Sequence, residues 1–226
     1  MITARIKEIF TSIQGEGRYI GYPQLFIRFC ECDFKCKYCE TDYKPDATSE
    51  LYTANSLAER LRSFDTKNIH SICLTGGEPL IEAKFLKEFL RNVTFPVFLE
   101  TNATRTEELE DIINMIKYVS ANIKLPSASG EKDCFEKHME FIKRCCLAGK
   151  DVYAKVVFDE NITDYEIAKC LEIVKQNNID LILQPVSKNG KISLKSRYLP
   201  EILEKFRKNY GRVRLIPQIH KSLCVR

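Results

Sequence analysis

Residues 32–39 read CDFKCKYC, three cysteines at C-x3-C-x2-C spacing with Tyr38 just before the last. A structural zinc site asks for four ligands, usually as two C-x2-C pairs from separate loops. Cys30 could serve as a fourth and give a compact zinc knuckle. Ferredoxin-type clusters use four cysteines at other spacings. Three thiolates on a four-iron cluster leave one iron open, and an open iron can bind a substrate or cosubstrate.

The chain around this stretch alternates. Strand-like apolar runs fall at 24–30, 70–75, 96–100, 119–123, 152–158, 180–184 and 212–216. Helical faces lie between them: Leu57, Leu61 and Phe64; Phe85, Phe89 and Leu90; Ile112, Ile113 and Ile116; Ile167, Leu171 and Val174. Thr163 with Glu166, and Thr104 with Glu107, have capping-box spacing. Strand and helix in alternation predict an α/β fold: a mostly parallel sheet with outer helices, curled by right-handed crossovers into a partial (βα) barrel. Chemistry in such folds sits at the C-terminal ends of the strands. The unusual residues fall there: the cysteine loop, TGGEP (75–79), ETNAT (100–104), KLPSASG (124–130), QPVS (184–187) and PQIH (217–220). One shared site is the reading, in a single domain spanning 1–226.

Bulk properties exclude little but are consistent. The 226 residues are 44% hydrophobic and 29% charged with net charge +4, which suits an anionic small molecule as well as nucleic acid. No run approaches the roughly 18–20 apolar residues of a membrane span, and MITARIKEIF lacks the order of a signal peptide. A cytoplasmic protein is expected, acting on neither membrane nor nucleic acid. Clustered cysteines in that compartment more often hold metal than form disulfides. Of the ten cysteines, Cys134, Cys145, Cys146, Cys170 and Cys224 in the second half read as buried thiols.

Each further candidate has a plain reading beside a chemical one. Gly76-Gly77-Glu78-Pro79 is a turn that stops a strand, or a place where backbone carbonyls come close to a ligand ammonium because glycine has no Cβ. Lys124 is a solvated strand-end lysine or a cation for a carboxylate, and Gln184 a loop-start polar residue or a ribose or adenine contact. Ser12–Gly17 (SIQGEG) is a loop ahead of the 24–30 strand. With Arg28, which can grip a carboxylate bidentately, Gln14 and Glu16 could instead pair with the N–H donors of an amino-pyrimidinone edge. Thr41 caps a loop, or gives an oxygen to a magnesium completed by substrate and water.

The cysteine spacing with its aromatic, followed by Gly-Gly-Glu-Pro after the second strand, resembles the radical S-adenosylmethionine (SAM) superfamily, in which SAM itself takes the fourth corner of the cluster. EIFTSIQGEG, FIRF, CKYCETDY, TGGEP, ETNAT, IKLPSASG, LQPV and RLIPQIHK, in that order from about residue 7 to 221, resemble one branch, the 7-carboxy-7-deazaguanine synthases of queuosine and deazapurine biosynthesis. The resemblance implies a lyase that converts 6-carboxy-5,6,7,8-tetrahydropterin to 7-carboxy-7-deazaguanine and ammonia. It implies a 4Fe-4S cluster on Cys32, Cys36 and Cys39, and SAM held by Tyr38, Cys39, Glu40, Gly77, Asn122, Ile123, Lys124 and Gln184. The pterin would meet Ile13, Gln14, Gly15, Glu16, Arg28 and Thr75, with Mg2+ on Thr41. An electron donor such as flavodoxin and a homodimer are implied too. Glu31 stands where glycine is usual, Glu40 where aspartate is, Asn122-Ile123 where Ser-Pro is commoner, and Ala103 where glycine is frequent. A glycyl-radical-enzyme activating enzyme is the alternative, and a zinc-binding module without catalysis a more distant one.

Overall fold

In chain order the elements are β1 (Thr3–Ile13), β2 (Pro23–Phe29), β3 (Glu50–Thr53), α1 (Ala54–Leu61), β4 (Ser71–Gly76), α2 (Ala83–Leu90), β5 (Val97–Thr101), α3 (Thr106–Glu110), β6 (Tyr118–Ile123), α4 (Pro126–Ser129), α5 (Phe135–Leu147), β7 (Asp151–Phe158), α6 (Asp164–Asn177), β8 (Asp180–Pro185), β9 (Ser187–Lys188), β10 (Lys191–Ile192), α7 (Tyr198–Arg207) and β11 (Val213–Leu215). They come from a computed structural model that describes residues 2–188, 191–220, 223 and 225. Lys221 of the C-terminal motif and Cys224 lie outside them.

Nine strands share one sheet in the order β11-β8-β7-β6-β5-β4-β2-β1-β3. The run from β11 to β2 is parallel, with helices in the crossovers, and β1 joins antiparallel to β2 and β3. β3 and β11 are its two ends, so the barrel is partial.

Side chains alternate between the faces of each strand, and that period sorts the sequence into layers. Leu25, Ile27 and Phe29 of β2, Ile72 and Leu74 of β4, Val97 and Leu99 of β5, and Val152, Ala154 and Val156 of β7 join the large core under the helices, with Phe85, Phe89 and Phe141. The intervening residues face inward. Phe26, Cys73, Phe98, Tyr153 and Ile182 form a smaller apolar floor with Phe10. Two residues further along the same strands stand Arg28, Thr75, Glu100, Lys155 and Gln184, all lining one cleft. Period two thus puts a polar layer directly above an apolar floor.

All seven expected strands are present within two residues at each end. The Thr163–Glu166 capping box also forms, with both reciprocal hydrogen bonds. Four expectations are corrected. The chain does not reach 24–30 through a loop alone, because 3–13 is an eleven-residue strand whose apolar positions are only partly alternating. Ile112, Ile113 and Ile116 are no helix face: α3 ends at Glu110, and Ile113–Met115 is a 3-10 turn feeding β6. The Thr104–Glu107 box does not form. Arg105 occupies the N-cap, so Thr104 lies one residue outside it, where its hydroxyl and N–H both donate to Asn102 Oδ1. Similarly, α1 stops at Leu61, short of Phe64.

Two of the departures from the family pattern have a backbone signature. Glu31 and Ala103 sit at φ 69° and 56°, the left-handed region. A side chain there costs roughly 1–2 kcal/mol, of which glycine returns part through its freer unfolded chain. Glu31 is exposed, so no packing is lost on removing it. Glu31→Gly is therefore expected to raise stability by about 0.5–1 kcal/mol, read as a higher urea midpoint. An unchanged or lower midpoint would contradict the strain.

Candidate active site

The strand ends open into a cleft of about 520 Å3, lined by Cys32, Cys36 and Cys39 on one side and by Gln14, Glu16 and Arg28 on another. The size is that of a small-molecule site. The cysteine loop is tied down from three directions. The Asn102 amide donates to Asp33 Oδ1 at 2.8 Å and Arg105 Nε to Asp33 Oδ2 at 3.0 Å. The Lys37 N–H donates to the Ser129 carbonyl at 2.9 Å, and the Lys35 N–H to Glu131. Lys7 binds Asp42 and Asp46 in the segment that follows. ETNAT and KLPSASG thus hold the loop from neighbouring strands, as their placement after those strands requires.

Gly-Gly-Glu-Pro braces the root of that loop. The Gly77 N–H donates to the Phe29 carbonyl and the Glu78 N–H to that of Glu31. Gly76 has φ 126°, and a Cβ on Gly77 would fall 1.6 Å from the Glu31 carbonyl oxygen. Both glycines are thus required by the approach of two backbones. Glu78 is fully buried and accepts from the Leu80 and Asn102 N–H groups and the Thr101 hydroxyl. Burial pushes its carboxyl up to about 7 against those donors. It is a clasp between the ends of β4 and β5.

Lys124 reaches the cleft at the end of β6, its ammonium 3.5 Å from the Tyr38 hydroxyl. Burial opposes its charge, but the Tyr38 phenol and the Cys36 and Cys32 thiols together hold its pKa above the usual lysine value. The Lys124 N–H donates to His138 Nε2, and His138 Nδ1 lies 3.2 Å from the Ala103 carbonyl. That pair of partners fixes the neutral tautomer with its proton on Nδ1.

Burial lowers the His138 pKa to about 4, against the Ala103 hydrogen bond. The unfolded chain then binds the extra proton at a higher pH than the folded one, so this histidine removes stability as pH falls from about 6.5 to about 4. The full window is worth roughly 3 kcal/mol. His138→Gln, which can keep both hydrogen bonds, should flatten the acid side of the stability profile by that amount relative to the unaltered protein. Parallel profiles in urea titrations across the window would contradict it.

Across the cleft Glu16 is clamped: the Lys155 ammonium donates to Oε2 and the Gln218 amide to Oε1. Burial raises its pKa, but Lys155, then Gln218 and His220, outweigh it and draw it down to about 2. Gln14 lines the cleft with its amide already engaged. It donates to Gln24 at 3.0 Å and Glu100 at 2.9 Å, and accepts from the Glu16 N–H at 3.0 Å. It therefore orients its neighbours and keeps one Oε1 lone pair for the ligand contact expected of it. Thr75 is committed to Glu100 at 2.7 Å. Among the described residues, Arg28 Nε and Gln184 Oε1 are buried without a partner. Gly15, Ile13, Asn122, Glu40 and Thr41 also line the cleft. Ile123 does not; its side chain is 1% exposed in the core, as the alternation along β6 dictates. Cys30 is likewise buried away from the cleft. Lys155 went unnoticed in the sequence, and Glu100 was marked only as the start of ETNAT, without a role. Their signal is the inward register of β5 and β7, which only the alignment of whole strands reveals.

The radical SAM superfamily model matches residues 26–174. The 7-carboxy-7-deazaguanine synthase of Geobacter sulfurreducens is 33% identical over 97% of both chains. The chain belongs to this family of radical SAM enzymes. The synthase of Methanothermobacter thermautotrophicus is 31% identical over 100% of this chain and 99% of its own. The crystal structure of QueE from Escherichia coli matches at TM-score 0.63 and 17% identity, covering 94% of this chain and 93% of that one. Streptococcus suis SuiB bound to S-adenosylmethionine matches at TM-score 0.58 and 17% identity, over 82% of this chain and 48% of that one. These two show the shared fold.

As a member of the radical SAM synthases the chain uses a 4Fe-4S cluster and SAM. The donor set fits both. Cys32, Cys36 and Cys39 share one wall of the cleft, yet among the described residues no three Cys, His, Asp or Glu side chains converge on a single ion. Lys124 beside the thiols and the unpartnered Gln184 oxygen offer complementary groups to an amino acid end and a nucleoside. No helix among the described residues is long and apolar enough to cross a membrane.

Proposed function

We propose that the chain converts 6-carboxy-5,6,7,8-tetrahydropterin to 7-carboxy-7-deazaguanine with loss of ammonia. The observation that carries the reading is the Arg28 guanidinium, its Nε buried and unpartnered, in the same cleft as the three thiols. A carboxylate can accept from such a group bidentately.

Bound SAM and the cluster supply, on one-electron reduction, a 5′-deoxyadenosyl radical that abstracts hydrogen. The residues of the chain position and shield. Cys32, Cys36 and Cys39 hold the cluster. Lys124 and the backbone at Gly77 hold the charged end of SAM, Gln184 its nucleoside, with Tyr38, Glu40, Asn122 and the backbone of Ile123 nearby. Arg28 takes the substrate carboxylate, and Glu16 the amino-pyrimidinone edge, beside Thr75 and the backbone of Ile13 and Gly15. Thr41, between Glu40 and Asp42 on the cleft wall, would offer its oxygen to a magnesium, which would help hold the substrate carboxylate. The family resemblance supports a cytoplasmic homodimer, one domain per chain, reduced by a donor such as flavodoxin. An activating enzyme for a glycyl-radical protein would have no use for Arg28 and Glu16 as a pterin clamp.

Arg28→Ala is the discriminating variant. Losing one charge-assisted interaction costs roughly 1.5–3 kcal/mol, so KM for the carboxypterin should rise about tenfold or more. Iron content and uncoupled SAM cleavage should not move. Unchanged KM would remove the carboxylate site from Arg28 and with it this reading.

A further inference from the structure

Lys155 interrupts the apolar strand DVYAKVVF and faces inward, one residue pair above the floor. Its side chain is 5% exposed, and its ammonium has one anionic partner, Glu16. We propose that Lys155 is a positioning and specificity-determining residue of the pterin site, the fixed countercharge that keeps Glu16 an acceptor on both oxygens for a ligand edge bearing two N–H groups. The inference rests on the pterin reading above.

The geometry leaves Glu16 little choice. One oxygen faces Lys155 from β7 and the other Gln218 from the C-terminal segment. That segment is itself pinned to the Glu16 loop by the Ile219 N–H donating to the Gly15 carbonyl at 2.9 Å. His220 of the same segment packs where a Cβ on Gly15 would stand. The Gln14 amide accepts the Glu16 N–H and donates to Glu100 on β5. Arg28 on β2 lines the same cleft, and the Tyr153 and Cys73 side chains lie beneath. Glu16 and Glu100 therefore share the cleft with Arg28 and Lys155, and Glu8, Glu40, Asp42 and Lys124 line it too, but Lys155 is the cation ion-paired to Glu16. If Arg28 is given over to the substrate carboxylate, Lys155 alone balances Glu16.

A neutral carboxylic acid presents one O–H and one carbonyl, which mismatches adjacent N–H donors. Burial drives Glu16 toward that neutral form, and Lys155 is the strongest group opposing it. Removing the ammonium should thus convert a pH-independent acceptor into one that must be ionised against burial. Lys155 need not touch the ligand to set its selectivity.

The test is equilibrium dialysis of 6-carboxypterin, a stable oxidised probe, against cluster-loaded protein with SAM, from about pH 5 to about pH 7.5. The unaltered protein and Lys155→Arg should bind with an affinity that changes less than about twofold across the window. Lys155→Met should bind about tenfold more weakly at the acid end than at the neutral end, the span of one ionisation. Glu16→Gln separates the two claims. If Glu16→Gln weakens binding and Lys155→Met does not, the countercharge role is overturned while the pterin site stands. If neither variant alters binding, the pterin reading of Glu16 fails with it. A loss in Lys155→Met that is equal at every pH, and shared by Lys155→Arg, would make Lys155 a structural residue and overturn the proposal.

Discussion

Gly77→Ala is expected to cost the protein most of its iron and at least about 3 kcal/mol of stability. The methyl would have to occupy space 1.6 Å from the Glu31 carbonyl oxygen and 2.4 Å from its carbon. Both are backbone atoms at the root of the cysteine loop, so no rotamer change can relieve the clash. Either the end of β4 moves, breaking the Gly77 and Glu78 N–H bonds to Phe29 and Glu31, or the loop moves and Cys32 with it. Gly211→Ala is the control, since nothing lies within 4 Å of a Cβ there. Iron content after anaerobic reconstitution and the urea midpoint should fall together in the first variant and stay put in the second. Full iron loading in Gly77→Ala would mean that the close approach does not constrain the loop.

Cys36→Ala should lose the cluster and all SAM cleavage, whereas Cys30→Ala should keep both. The two cysteines are six residues apart, but Cys30 directly follows the end of β2 at Phe29 while Cys36 lies out in the loop. Cys30 is 2% exposed, packed at the strand end, and burial raises its thiol pKa. Cys36 lies in the cleft wall facing Lys124. Cys30→Ala therefore loses only a small buried side chain, about 1 kcal/mol. The brown colour and iron content of the two variants decide the matter. A colourless Cys30→Ala beside a brown Cys32→Ala would shift the ligand register by one cysteine.

Much of this site was legible in the sequence because parallel strands deliver their C-terminal ends to one place. TGGEP, ETNAT and KLPSASG could be assigned to a common mouth from their positions after strands alone, and they do meet the cysteine loop there. What each residue does inside the mouth was not legible. Glu78 sits in the motif yet serves only backbone N–H groups and Thr101, because it turns back under the β4–β5 corner. Gln14 sits in SIQGEG, and both its amide hydrogens go to Gln24 and Glu100. Ile123 sits beside Lys124 yet alternation turns it to the core. Lys155 lacks a motif and Glu100 only opens ETNAT, and the importance of both follows from inward register. β1 was missed for a related reason. Its mixed partners, β2 on one side and short β3 on the other, leave a burial pattern without clean alternation. The left-handed backbone at Glu31 explains in turn why glycine is the usual residue there in the family.

The central claim is that one cleft brings the cluster, SAM and the carboxypterin together for turnover. The direct measurement incubates the unaltered protein without air with SAM, a strong reductant, magnesium and 6-carboxy-5,6,7,8-tetrahydropterin. It then counts 7-carboxy-7-deazaguanine, ammonia and 5′-deoxyadenosine in the same sample. The account predicts deazaguanine and ammonia in equal amounts, both well in excess of the 5′-deoxyadenosine released, with little product when magnesium is withheld. Accumulation of 5′-deoxyadenosine with no deazaguanine would contradict it.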